Sequence, residues 1–169
     1  MDTHNRKNMP EQISKSKIII HRAMYDMHWA ENSILSIKKC LKEGFSVEID
    51  VFILNGRSYL GHDIHNLIQI QPKDIDLQNV FVHLKTPSSP YFKNADSFFI
   101  DKGQIAYTYF GRQWVNTCIK DYFNSNTIGC SNELTGGEIN EGHIIDALIN
   151  GSWVCTKKPL HFISLLSLT

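Results

Sequence analysis

The sequence predicts an α/β fold, and three neighbouring stretches carry the prediction. Lys17 to Ile20 is a continuous β-branched run, the composition of a strand buried on both faces. Ile34, Leu35, Ile37 and Leu41 then recur at helical spacing until Gly44 supplies the stop. Ser46 to Leu54 alternates with period two, which sets Val47, Ile49 and Val51 on one face of a strand and Glu48 with Asp50 on the other. Strand, helix and strand in succession place the chain in the α/β class.

The remaining elements follow from local chemistry. Residues 1 to 15 read as a flexible leader ahead of one domain over residues 16 to 169. His21 and Arg22 stand at the carboxyl end of the first strand, and Glu31, Asn32 and Ser33 offer side chains that cap the helix. Asn55-Gly56 is a tight-turn signal, after which Ser58 to Leu60 returns as a short strand and delivers Gly61, His62 and Asp63 beside its predecessor. Asn79 to Lys85 is a further strand with Phe81, His83 and Lys85 on one face. Weaker strand signals span 97–100, 104–109, 127–130 and 152–156, with a loop at Gly136-Gly137, helical turns over 144–148 and a packed terminal segment over 160–168.

Composition narrows the functional classes. The 169 residues are 42% hydrophobic and 20% charged, ordinary for a globular domain with a core. Seventeen basic and seventeen acidic residues cancel, so no global field draws the chain to nucleic acid or to an anionic membrane, and any phosphate recognition is local. Small molecules are the expected partners, with no nucleic acid and no stable membrane insertion. Cys40, Cys118, Cys130 and Cys155 show no CxxC spacing, which predicts reduced thiols and a cytoplasmic setting; Cys40, on the helix, reads as a small buried hydrophobe.

The chemistry-bearing residues concentrate between 21 and 85. Glu48 and Asp50, two carboxylates on one strand face, supply oxygen ligands of the kind calcium or magnesium accepts; the competing account is a solvated strand face. His21 and His62 each end an apolar stretch and each precedes a charged residue, Arg22 or Asp63, able to hold phosphate or orient an imidazole. His83 can ligate a divalent ion and Lys85 can neutralise phosphate oxygens, although core packing beside a turn is as good an account of both. His28 and Trp29 lie in the first loop and can cover a ligand, yet Trp29 reads better as packing against Leu35 at the start of the helix. Tyr107, Tyr109 and Phe110 read as core or pocket wall.

The ordered fragments His21-Arg22, Glu31-Asn32, Glu48-Ile49-Asp50 and Gly61-His62-Asp63 resemble the signature of the glycerophosphodiester phosphodiesterase family, and Val82-His83-Leu84-Lys85 resembles its later Glu-x-Lys strand. The resemblance covers residues 17 to 63 well and the final third loosely. It implies a (β/α) barrel of the TIM type in which His21 and His62 are the acid and base pair, Arg22 and Lys85 contact phosphate, and Glu48, Asp50 and His83 hold a divalent ion, Mg2+ or Ca2+. Three departures stand out: Ala23 replaces a glycine, Ser33 a threonine and His83 the third acidic ligand, which softens the ligand set. A complete barrel of this type takes about 250 residues, so a compact or incomplete one is expected, with an open edge that favours self-association into a homo-oligomer.

The expected activity is hydrolysis of a small glycerophosphodiester-like substrate to an alcohol and a phosphomonoester. Two other readings share the site: a binding-only barrel without catalysis, and a phospholipase D-like enzyme that forms a cyclic phosphate.

Overall fold

The computed structural model describes residues 13–26, 29–88, 92–100, 103–116 and 123–166; most of the expected leader, His28 and Cys118 lie outside them. Ten strands make one sheet. The chain enters β1 (Ile18–Ile20), crosses helix α1 (Ile34–Lys42) into the long β2 (Ser46–Leu54), and turns through β3 (Arg57–Leu60) and β4 (Ile68–Ile70). It continues through β5 (Val80–Leu84), β6 (Asp96–Phe99), β7 (Ile105–Tyr107), β8 (Gln113–Val115) and β9 (Thr127–Cys130), then α2 (Glu141–Ile149), β10 (Trp153–Thr156) and α3 (Pro159–Leu166).

Strand order gives the sheet its character. The hydrogen-bonded path runs β4-β3-β2-β1-β10-β9-β8-β7, while β5 pairs with β2 and carries β6 beyond it. Strands β1, β2, β5, β6, β8, β9 and β10 all pair in parallel with one another, and the first strand lies beside the last. Strands β3, β4 and β7 are antiparallel additions. Although β6 and β8 stand far apart along this path, Phe98 of β6 stacks on Trp114 of β8 with ring centroids 4.2 Å apart. One backbone hydrogen bond, Tyr109 N–H to the Ser97 carbonyl at 2.7 Å, also reaches across, so the sheet curls without a ladder joining β6 to β7 among the described residues.

The alternation along each strand divides two apolar layers. Ile18, Ile20, Val47, Ile49 and Val51 point to the helices and meet Ile37 and Cys40 of α1, Ile144 and Leu148 of α2 and Phe162 of α3. Ile19, Phe81, Phe98, Trp114, Ile128 and Cys155 fill the concave side. Cys40 sits in the helix-facing layer as expected, fully buried, and burial pushes its thiol up to about 12. No helix among the described residues is long and apolar enough to cross a membrane.

Several elements differ from their sequence reading for identifiable reasons. Strands β4 and β8 escape it because three residues are too few to display a period. The turns expected over 144–148 are the middle of a nine-residue helix whose Asn140 side chain accepts the His143 N–H. Tyr107 and Tyr109 are not core residues: at 72% and 61% exposed they face outward from the end of the sheet, while Phe110 borders a cavity. Trp29 packs as expected but with a different partner. Its ring lies 5.1 Å from that of Tyr25 and under the Lys39 ammonium, while Leu35 is 67% exposed, because Ser33 is the residue that caps α1 and Trp29 stands too far ahead of it to staple the first turn.

Candidate functional site

The parallel ladder of β1, β2 and β5 gathers the site at its carboxyl end: His21 follows β1, Glu48 and Asp50 lie in the part of β2 that pairs with β5, and His83 is the penultimate residue of β5. In the β2–β5 register Glu48 faces Phe81 and Asp50 faces His83, so two carboxylates and an imidazole are neighbours by strand pairing alone. The side chains of Glu48 and Asp50 are buried, at 2% and 3% exposed, which removes the solvated-face account of this pair. His83 Nδ1 is 3.2 Å from Asp50 Oδ1 and 3.8 Å from Glu48 Oε1, and one donor atom from each of the three lies within 4.8 Å of the others. The imidazole is held by stacking on Phe98, with centroids 5.0 Å apart and rings 3° from parallel.

Cations surround Asp50. Arg22 Nε stands 3.3 Å from Asp50 Oδ2, off the line of a good hydrogen bond, and Lys85 Nζ is 3.6 Å from Oδ1. Arg22 also reaches Glu31 at 3.2 Å, and its backbone N–H donates to Glu48 Oε2 at 3.0 Å. That donation depends on unusual backbone: Arg22 and Ala23 both have φ of 53°, a left-handed conformation that costs a residue with a side chain about 1 kcal/mol or more. Ala23 therefore occupies a position where a glycine would carry no such cost.

Asn32 is the site residue whose role sequence reasoning missed. The sequence places it among the caps of α1, but Ser33 does that work, accepting the Ser36 N–H at 3.1 Å. Asn32 instead grips Asp50 twice, donating Nδ2–H to Oδ2 at 3.1 Å and accepting the Asp50 backbone N–H at 2.9 Å. Its φ of 49° is compatible with the known tolerance of asparagine for this region, the one local signal that could have set it apart from its neighbours.

His21 and His62 occupy different environments. His21 Nε2 lies 3.9 Å from Glu48 Oε2, while Nδ1 is buried with no hydrogen-bond partner among the described residues. Burial first, then the adjacent Arg22 charge, lower its pKa to about 3, so it is neutral near pH 7. His62 is 36% exposed, with Nδ1 3.2 Å from Asp63, and it stands close enough for its charge to act on His21. Lys157, just beyond β10, acts on His21 in the same way and was not anticipated. Glu133 joins it on that rim, accepting from Ser131, Thr156 and the Lys157 N–H; as with His21, its position just past a strand end was the available signal.

The two acids are pulled apart in proton affinity. Burial, then the charge of Asp50, raises Glu48 to about 8. Burial would also raise Asp50, but the His83 hydrogen bond and the Lys85 charge overcome it and hold that carboxyl low. The two carboxyls are thus shifted in opposite directions, Glu48 toward holding a proton and Asp50 toward losing one.

Comparison with models of known protein families, with curated proteins and with solved structures finds no match to this chain.

Gly61 positions the last member. Its N–H donates to the Asp50 carbonyl at 3.2 Å, and at φ 151° an added Cβ would lie 2.8 Å from the Asn66 carbonyl oxygen and 2.9 Å from a Leu67 methyl. Gly61→Ala is expected to destabilise the chain by about 2 kcal/mol and to displace His62 from the rim. Thermal unfolding and the chemical shifts of the His62 ring check this; an unchanged protein would show that the loop yields freely.

Proposed function

We propose that the chain is a divalent-metal-dependent phosphodiesterase that hydrolyses a small glycerophosphodiester-like substrate, built on a trimmed (β/α) barrel. The observation that carries the reading is the convergence of His21, Arg22, Glu48, Asp50, His83 and Lys85 toward the carboxyl end of the parallel β1–β2–β5 ladder, the side on which such barrels place their chemistry. The barrel itself is supported by parallel strands that follow sequence order, by the pairing of the first strand with the last, and by the Phe98–Trp114 stack.

The residues fit a divalent ion. Two buried carboxylates with an imidazole at ligand spacing form a donor set for such an ion. When bound, the ion would polarise a phosphoryl oxygen. The chain's own groups supply the rest. One of His21 and His62 accepts the proton of the attacking hydroxyl or water while the other returns a proton to the leaving oxygen. Arg22 and Lys85 offset the charge that develops on the phosphoryl group.

Hydrolysis of an aryl phosphodiester with and without a chelator tests the proposal. The wild type is expected to turn over only without chelator, and His21→Ala and Glu48→Ala are each expected to lose about a thousandfold in rate. Equal rates in all samples would refute the roles. Phosphorus NMR of the product distinguishes a phosphomonoester from a cyclic phosphate.

A further inference from the structure

We propose that the Glu48, Asp50 and His83 cluster takes a nitrogen-accepting first-row transition ion, such as Co2+ or Zn2+, in strong preference to Mg2+ or Ca2+. The inference rests on the reading that this site holds a divalent ion, and it goes further by assigning the class of ion and the residue that selects it. Two observations carry it.

The first is the donor set. Mg2+ and Ca2+ are hard ions that take oxygen ligands, and an imidazole nitrogen contributes little to holding them. Imidazole suits zinc, cobalt, nickel and iron, whose bonds to nitrogen carry covalent character. His83 presents Nδ1, not its distal nitrogen, to both carboxylates, at 3.2 Å and 3.8 Å. It is held there from behind: the ring stacks on Phe98, and Phe98 stacks on Trp114. The nitrogen is therefore aimed before any ion arrives, which is the condition for a ligand to select and not merely to tolerate.

The second is charge. Affinity for a hard ion rises with the number of negative ligands around it. Here the two carboxylates are opposed by two cations, Arg22 Nε at 3.3 Å and Lys85 Nζ at 3.6 Å from Asp50, so the cluster offers little net negative charge. A histidine in the third position adds none. Electrostatic attraction alone is then a weak basis for binding, and the ion that gains from a metal–nitrogen bond is favoured.

The test is equilibrium binding to the full chain stripped with a chelator, read by calorimetry and, for Co2+, by its visible absorption. Co2+ and Zn2+ are expected to bind at least about 100-fold more tightly than Mg2+ or Ca2+. His83→Glu, which supplies an oxygen and a negative charge, is expected to bring Mg2+ and Ca2+ to within about tenfold of Co2+. His83→Gln keeps an uncharged side chain of similar reach; it is expected to retain the far-ultraviolet circular dichroism of the fold while losing the tight Co2+ site. The double variant Glu48→Gln, Asp50→Asn is expected to abolish the Co2+ bands.

Persistence of the bands in that double variant would overturn the proposal, because the ion would then sit on other histidines. Selectivity unchanged in both His83 variants would overturn it as well. Wild-type binding of Mg2+ or Ca2+ as tight as that of Co2+ would overturn the selectivity alone and leave the phosphodiesterase reading intact. No binding of any ion would end both.

Discussion

Asp50→Ala is expected to lower the stability of the chain by about 3 kcal/mol, the low end of the cost of breaking a buried ion pair from one side. The side chain is 3% exposed, and its two oxygens serve Arg22, Lys85, His83 and Asn32 together. Removing it leaves two cations facing a polar hole and frees an amide from its acceptor. The low end applies because Arg22 and Lys85 are each about a fifth exposed and regain part of their hydration. Asp50→Asn preserves shape and one acceptor oxygen, and should cost less. Urea unfolding of both variants measures the difference; a loss below about 1 kcal/mol in Asp50→Ala would show that the cations reach water without the carboxylate.

Glu48→Gln is expected to do the opposite to the metal-free protein, stabilising it near neutral pH while eliminating ion binding. The folded chain holds the Glu48 proton up to about pH 8, whereas an ordinary glutamate releases it near 4.5. A raised folded value means that the native state binds more protons than the unfolded one over that window. Stability is therefore fully present below about 4.5 and is lost as pH climbs toward 8, at up to about 1.4 kcal/mol per pH unit. Glutamine mimics the protonated acid at every pH, so the variant should lack this decline. Unfolding midpoints in chelator across pH 5 to about 8 decide the matter. Because neutral His21 adds a rise in stability up to about pH 6.5, the difference between wild type and Glu48→Gln is the decisive quantity, and a difference that does not widen as pH climbs would contradict the burial and charge argument for this acid. The same comparison separates function from fold, since a buried acid kept for an ion is a cost to the empty protein.

How much of this was legible in the chain depends on the distance over which each signal acts. The period of β2 placed Glu48 and Asp50 together, and the spacing of Ile34, Ile37 and Leu41 located α1 within a residue. These are local patterns repeated over enough residues to be recognised. Three-residue strands offer no such repetition, and the outward direction of Tyr107 and Tyr109 depends on what lies beside β7, which no local pattern contains. Asn32 was visible as a polar residue ahead of a helix, where capping is the commonest role; its grip on Asp50 requires the loop after β1 to fold back over β2.

By itself the sequence determined the α/β class, the faces of the long strands and the inventory of two acids, an arginine, a lysine and three imidazoles. Tertiary structure alone decided that His83 meets Asp50 at 3.2 Å, that Arg22 bends through a left-handed turn to reach Glu48, and that His21 is buried enough to stay neutral. The physical reason is that side-chain direction follows from a backbone repeat of two residues, whereas separation and solvent exclusion follow from strand register and the curl of the sheet. Those are set by contacts between residues tens of positions apart.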